Sequence, residues 1–498
     1  MMKFTIKAAP LIGLQLAGLA VLAGAQHRAP AEDRAPTAAQ SALRLWLPGD
    51  HHIHSRYSVD WDESTTPPTP IVAGDAVYPI PLNASKARDF GLAWMVSTDH
   101  GGPNHSKLNL ERAYPELLKS RRRVPEVIQF YGMELDTPGG EHSSLVIPHT
   151  HDEHTHLYDL ESRFARRDAY PEDSARREHP FMVEALRAMS RRDTAPVVIV
   201  NHPSRSAEGL GVYGANTPGE LRNWNDAAPR VAIGMEGAPG HQASALKRDG
   251  TIDALGQRGG YDEYPTMGGY DQMTARVGGF WDSMLGEGRR WWITSTSDSH
   301  RNWREGGSDF WPGEYSKTYV LARRDHHDVL DGHRSGRVFV TTGDLISELD
   351  VIAVDLTPGA TDAAAASAGI GGALSLAAGD SVRVLIRLRD PAGPNHHGDR
   401  PAVARVDVIV GEVSGASPDR ERDTNPSTRV LRRFTAADWR RDGEVVTMEV
   451  VLPRVTSGAY VRVRGTSTDQ LEPEVDPVGE DPWRDLWFYS NPIFIEAR

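Results

Sequence analysis

The sequence predicts an α/β protein: a βα barrel over residues 43–345, followed by an antiparallel β-sandwich-like domain over 346–498. Three observations lead there. Through the first region, short apolar runs bounded by turn residues alternate with helix-like stretches, the pattern of a parallel sheet covered by helices. From about residue 350 the texture changes to short alternating runs separated by turn signals, the pattern of paired antiparallel strands. Histidines and carboxylates recur just past the apolar runs of the first region, and strand ends of one barrel converge in space.

At the N-terminus, Lys3 and Lys7 precede an apolar stretch from Ala8 to Leu22, and Ala23-Gly24-Ala25 offers small residues to a signal peptidase. Residues 1–25 read as a secretory signal and 26–42, rich in Ala and Pro, as a flexible leader. The stretch is short for a membrane span and contains Pro10 and Gln15, so no stable membrane insertion is expected after cleavage. The chain has no cysteine, which excludes disulfides, thiolate metal sites and lipidation at this end. A bacterial periplasmic or secreted location is expected.

In the barrel region, expected strands are Trp46-Leu47 with the residues after them, Leu92–Ser97, Val127–Tyr131, Leu145–Ile147, Val197–Val200, Val231–Met235, Trp291–Thr294 and Thr318–Leu321. Helices are expected at Ala84–Phe90, Leu108–Arg122, Phe181–Arg191, Gly219–Asn225 and Asp271–Gly286. Beyond an Ala-, Gly- and Ser-rich run at 358–377, strands are expected at Ser381–Leu388, Val403–Val410, Val445–Leu452, Ala459–Gly465 and Pro492–Ile495. No metal-type spacing of His with carboxylates occurs there, and His396 and His397 read as solvated loop residues.

The formal net charge of −13 argues against binding of a nucleic-acid polymer. It does not exclude a small anionic substrate drawn to a local cationic site.

The chemistry-bearing groups are His52 and His54 in GDHHIHS, Asp60 six residues later, His100 in VSTDHGG, Glu134 in YGMELD, His142 in GGEHSSLV, His202 in VIVNHPSR, and Asp298 and His300 in TSTSDSH. Residues two apart on a strand share a face, so His52 and His54 can grip one ion. Two further H-x-H pairs, His149/His151 and His154/His156, lie in a polar, charged segment that reads as a solvated loop or lid. Asp50 and Asp99 are placed to orient imidazoles by accepting their free N–H. Glu236 and His241 follow a strand and face the site on the substrate side. Arg205 and Arg301 directly follow ligand motifs and are placed to clamp a phosphate oxygen. Trp303, Phe310 and Trp311 are candidates for an apolar wall.

The ordered set D-x-H-x-H-S, T-D-H-G, G-x-E, His, N-H-P and S-D-S-H over about residues 48–302 resembles the PHP (polymerase and histidinol phosphatase) family of metallohydrolases. It is similar to exported members with a C-terminal β domain, both phosphodiesterases and carbamate (carbaryl-type) hydrolases. The resemblance implies a distorted (β/α)7 barrel with two or three divalent metals at the strand ends. It makes Glu134 a carboxylate shared between two metals. His52, His54 and Asp298 complete one site, His142 and His202 another, and Asp60, His100 and His300 a third. Asp62 and Glu63 compete with Asp60 for its slot. Six imidazoles and three carboxylates suit Mn²⁺, the first choice, or Zn²⁺ or Fe²⁺. The implied reaction is hydrolysis of a small organic phosphodiester by a metal-bridging hydroxide. A carbamate or carboxylic ester hydrolase on the same centre, and an exported ligand-binding protein with a non-catalytic barrel, are the alternatives. A homo-oligomer is left open.

Overall fold

A curled mixed sheet positions the site. In the computed structural model its strands are β1 (Leu45–Asp50), β2 (Trp94–Ser97), β3 (Ile128–Asp136), β4 (His142–Ile147), β5 (Val197–Val200), β6 (Ala232–Ala238), β7 (Trp292–Ser295), β8 (Ser316–Ala322) and β9 (Val338–Thr342). The structure describes residues 43–261, 263–357 and 366–498; the expected signal and leader at 1–42, and part of the Ala-rich run, lie outside them. The short strands β2, β5 and β7 are buried at every position, as strands packed on both faces must be.

The strand order is β9-β8-β1-β2-β3-β4-β5-β6-β7. β1, β2 and β3 run parallel, as do β5, β6 and β7. The expectation of a parallel sheet is corrected at β8, which is antiparallel to β1 and β9, and at β4, which lies antiparallel between β3 and β5. The physical reason is the short turn 137–141, which returns the chain alongside β3 and leaves no room for a crossover helix.

The sheet curls until β7 meets β8, and side chains make the seam. Thr318 Oγ1 accepts from Ser295 N at 2.8 Å and donates to Ser295 O at 2.7 Å. Asn491 accepts from Ile293 N at 2.9 Å and donates to Ile293 O. Past the strand ends, Ile53 and Ser299 form a parallel bridge.

Helices cover the outside, among them Ile80–Asp89, Tyr114–Arg123, His179–Ser190 and Pro218–Ala227. The last begins with a capping box in which Thr217 and Glu220 satisfy each other's backbone N–H. The segment expected as a solvated loop or lid, HTHDEHTHLYDLESRF, instead contains the helix Glu153–Phe164. Its Leu157, Leu160 and Phe164 recur at helical spacing and are buried, and that apolar stripe outweighs the polar composition. His154 of this helix stacks on Tyr114.

The C-terminal region forms two facing sheets. One centres on Glu348–Asp355, Val382–Arg389 and Val445–Leu452, all antiparallel. The alternate burial of Val382–Arg389 is the period-2 signature read from the sequence. The other contains Arg405–Glu412, Ala459–Thr466, Trp487–Ser490 and Ile493–Ala497. Val351, Val384, Val408, Val461 and Phe488 belong to the core they share. The boundary expected at 345/346 is not a break. Trp487–Ser490 pairs antiparallel with β9, so the second sheet continues the first, and Ala42–Arg498 is one compact unit.

Buried charge pairs join these layers. Asp282, on the helix Phe280–Gly286, accepts from Arg462 Nε at 2.9 Å and Nη2 at 2.7 Å, with both side chains fully buried. Removing one partner strands the other charge in the interior. Asp282→Ala is therefore expected to cost about 3–5 kcal/mol of unfolding free energy, measurable as a lower urea midpoint.

Candidate metal centre

The site lies past the C-terminal ends of β1, β2, β5, β6 and β7 and along β3 and β4. His52 and His54 follow β1. At Gly49, a Cβ would fall 2.0 Å from the Trp94 indole, so the chain entering the first motif has to be glycine there. His202 and Asp298 follow β5 and β7, and His241 follows β6; all three hold positive φ (28°, 48° and 59°). Such backbone persists only where surrounding structure holds it. Gly240, just before His241, lets Asp298 approach, since a Cβ there would lie 2.0 Å from Asp298 Cβ.

Donor atoms converge. His52 Nε2 lies 3.0 Å from His54 Nε2, 3.0 Å from Asp298 Oδ1 and 3.1 Å from Glu134 Oε1. His142 Nδ1 and His202 Nε2 each lie 3.1 Å from Glu134 Oε1. His100 Nε2 and His300 Nε2 approach a third carboxylate, Asp75 Oδ2, at 2.8 and 3.4 Å, and the His300 ring stacks on His54 at 3.8 Å. Five groups among the described residues have the compactness of ion sites: His52, His54 and Glu134; Glu134, His142 and His202; His54, His100 and His300; His241, His300 and Asp309; and, around Arg258, Asp476, Glu480 and Asp485.

The supporting shell fixes which atoms face inward. His52 Nδ1 donates to Glu236 Oε1 at 2.7 Å. His54 Nδ1 donates to Ser58 Oγ at 2.7 Å, and that hydroxyl donates onward to Asp99 at 3.2 Å. In the neutral rings both Nε2 atoms therefore present lone pairs to each other and to two carboxylates. Asp298 Oδ1 and Asp75 Oδ2 are buried and receive no hydrogen bond. Acceptors aimed at one another in a buried site need cations between them, and this donor set fits divalent ions.

Titration follows the same logic. Burial pushes Glu134 and Asp298 up, but surrounding imidazoles outweigh it and hold both well below the usual carboxylate range. Burial pushes His142 down, yet Glu134 and Asp136 raise it to about 9. His54, buried and beside His300, falls to about 3. His52 is raised well above its ordinary value by Asp298 and Glu134 against its burial. In the ion-free protein, protons on His52 and His142 supply the missing positive charge.

Of the nine expected ligands, eight come together. Asp60 does not: it is exposed, in a hairpin of residues 60–62 and 69–71. Asp75 stands in its place, and neither Asp62 nor Glu63 does. Asp75 follows only the short, exposed strand Thr69–Ile71, which is not an apolar run, so strand-end reasoning had no signal for it. Asp50 and Asp99 touch no imidazole N–H. Asp50 accepts from the backbone N of His52 and Ser297, and Asp99 acts through Ser55 and Ser58. Glu236, expected on the substrate side, is fully buried behind His52 and also accepts from His202 N at 2.6 Å. His241 spans Asp298 Oδ2 at 2.9 Å and Asp309 Oδ1 at 2.5 Å.

The site opens into a cavity of about 620 Å³. Arg205 and Arg301 line it, together with Arg166 and Arg167, which the sequence did not single out because they follow the unrecognised helix. Apart from ligand-type imidazoles, no aromatic or aliphatic side chain is found among the described residues lining it. The expected apolar wall is corrected. Trp303, Phe310 and Trp311 are buried, and the first two pack in the core shared with the C-terminal strands.

No family model matches the chain, and no curated protein matches it. Among the described residues, no helix is long and apolar enough to cross a membrane.

Two outcomes are expected. Asp75→Ala should lower metal content at saturation by one ion per chain, measured by inductively coupled plasma mass spectrometry, with Asp60→Ala unchanged. Because His142 holds its proton below about pH 9, an entering ion must displace it. Apparent metal affinity should therefore rise with pH through the neutral range, by about tenfold per unit for each proton released, in chelator competition.

Proposed function

We propose that this protein is a metal-dependent phosphoesterase of the PHP type, exported by its N-terminal segment, that hydrolyses small phosphodiesters. In this reading the curled sheet is a distorted PHP barrel, and the ions are Mn²⁺ or, failing that, Zn²⁺ or Fe²⁺. The observation that carries the proposal is a convergent His/carboxylate floor beneath walls that hold four guanidinium groups and, among the described residues, no aliphatic side chain.

His52, His54, Glu134 and Asp298 would hold one ion, Glu134, His142 and His202 a second, and Asp75, His100 and His300 a third. When bound, such ions acidify water for attack and offset charge on phosphoryl oxygens. The chain's own groups do the rest. Arg205, an ion-pair partner of Glu141 at 3.5 Å, and Arg167, at 2.7 Å from Asp136, present guanidinium forks that suit phosphate oxygens. Glu236 and Asp99 keep the imidazoles in register. Asp309 orients His241 and, through Oδ2, accepts the backbone N–H of His300 and Arg301 at 2.7 and 2.9 Å.

The same walls weigh against the carbamate reading, because an aryl carbamate gains binding energy from aliphatic and aromatic side chains, and apart from histidines none is found among the described residues lining this cavity. A non-catalytic barrel has no use for so complete a donor set. In Mn²⁺-loaded protein, bis(4-nitrophenyl) phosphate is expected to be cleaved with kcat/KM at least about 100-fold above a 1-naphthyl carbamate, a difference of about 2.7 kcal/mol. The reverse order would install the carbamate reading, and metal binding without turnover of either would install the binding module. Glu134→Ala and Asp298→Asn should each lower kcat by at least about a thousandfold, with the circular dichroism spectrum unchanged.

A further inference from the structure

We infer that the substrate carries a second phosphate group besides the scissile ester, and that a side cavity walled by Arg166, Arg167 and Arg177 receives it. The inference rests on the phosphoester reading above and names the substrate class for that site. Beside the main cavity lies another of about 310 Å³, lined by Arg166, Arg167, Glu172 and Arg177. Arg166 and Arg167 line both cavities, so a ligand on the metal floor has the second within reach of the same two side chains.

The charge balance selects the ligand. Three guanidinium groups line it with one carboxylate, and Asp136 behind Arg167 leaves a formal +1 in a chain whose net charge is −13. Three converging guanidinium forks suit the several oxygens of a phosphate monoester dianion better than a single carboxylate. Donors remain for it: Arg166 gives one N–H to Gly140 O at 3.3 Å, and Arg167 gives Nε and Nη2 to Asp136 Oδ1 at 2.8 and 2.7 Å, of five N–H donors per guanidinium. Glu172 holds Arg177 by two hydrogen bonds of 2.7 and 2.6 Å. That pair is exposed and contributes little stability, so an incoming dianion competes with it readily. Asp136 also approaches His142 Nε2 at 3.5 Å, which ties Arg167 to the metal floor.

The test uses matched probes that differ only by one phosphate: thymidine 5′-(4-nitrophenyl phosphate) with and without a 3′-phosphate for turnover, and thymidine 3′,5′-bisphosphate against thymidine 5′-monophosphate for calorimetric binding, all with Mn²⁺-loaded protein. The probe with the extra phosphate is expected to win by at least about tenfold in kcat/KM and in Kd at low salt, the margin shrinking as salt rises. Arg166→Ala and Arg177→Ala should bring both ratios towards one, while Glu172→Gln, by releasing Arg177, should widen them. Ratios near one in the unmodified protein, or ratios that survive both arginine substitutions, would overturn the second site. If both esters are cleaved with equal efficiency, the phosphoesterase reading stands and this inference falls. If neither is cleaved but the bisphosphate still binds more tightly through Arg166, the inference stands and the reaction falls.

Discussion

Everything at this site depends on the burial of mutually repelling acceptors within about one ion diameter. Glu134 and Asp298 are each only 2% exposed, and nitrogens of His52, His54, His142, His202 and His241 are turned towards them. An uncompensated carboxylate in such surroundings costs several kcal/mol. The fold can tolerate the cluster only if positive charge enters it. Protons on His52 and His142 serve when ions are absent, and divalent ions serve better because they also satisfy the lone pairs of His54 and His202.

The surrounding shell makes this convergence hold. Glu236 ties β6 to His52 and to the backbone of His202, so one carboxylate sets the geometry of two ligands from different strands. Asn201 donates to Glu134 at 2.9 Å while accepting from Ser144 N at 3.0 Å, which fixes the carboxylate against β4. The Ser58–Asp99 relay does the same for His54. These are polar groups that find partners only when the strand ends have met, so assembly of the sheet and assembly of the site are one event.

The C-terminal strands take part in that assembly. Asn491 closes the open edge of β7, the strand that delivers Asp298 and His300. Phe310, in the loop just after those ligands, packs edge-on against Trp483 at 5.3 Å. Arg258, fully buried, reaches from beside the first sheet to Asp485 at 2.5 Å and to Glu480 at 3.2 Å. The region that composition marks as a second domain is thus a wall that holds the last strand of the first sheet in place.

Much of this was legible in the residues alone. Eight of the nine strands of the first sheet stand out as short apolar runs, β9 being the exception, and period-2 alternation announced the C-terminal sheets. Eight of the converging groups were readable because strand ends are local features: a short apolar run, then a polar turn. What the sequence left open was settled by long-range contact. Asp75 is brought in by a loop whose path depends on the packing of residues 56–78, Glu236 turns inward because His52 is there to receive it, and Arg166 and Arg167 reach the cavity only because a polar-looking segment folds as a helix with one buried stripe. Position along the chain determined which groups carry the chemistry; the closing of the sheet decided which carboxylates touch which imidazoles, since distances between residues 50 to 250 apart are not encoded in any local run.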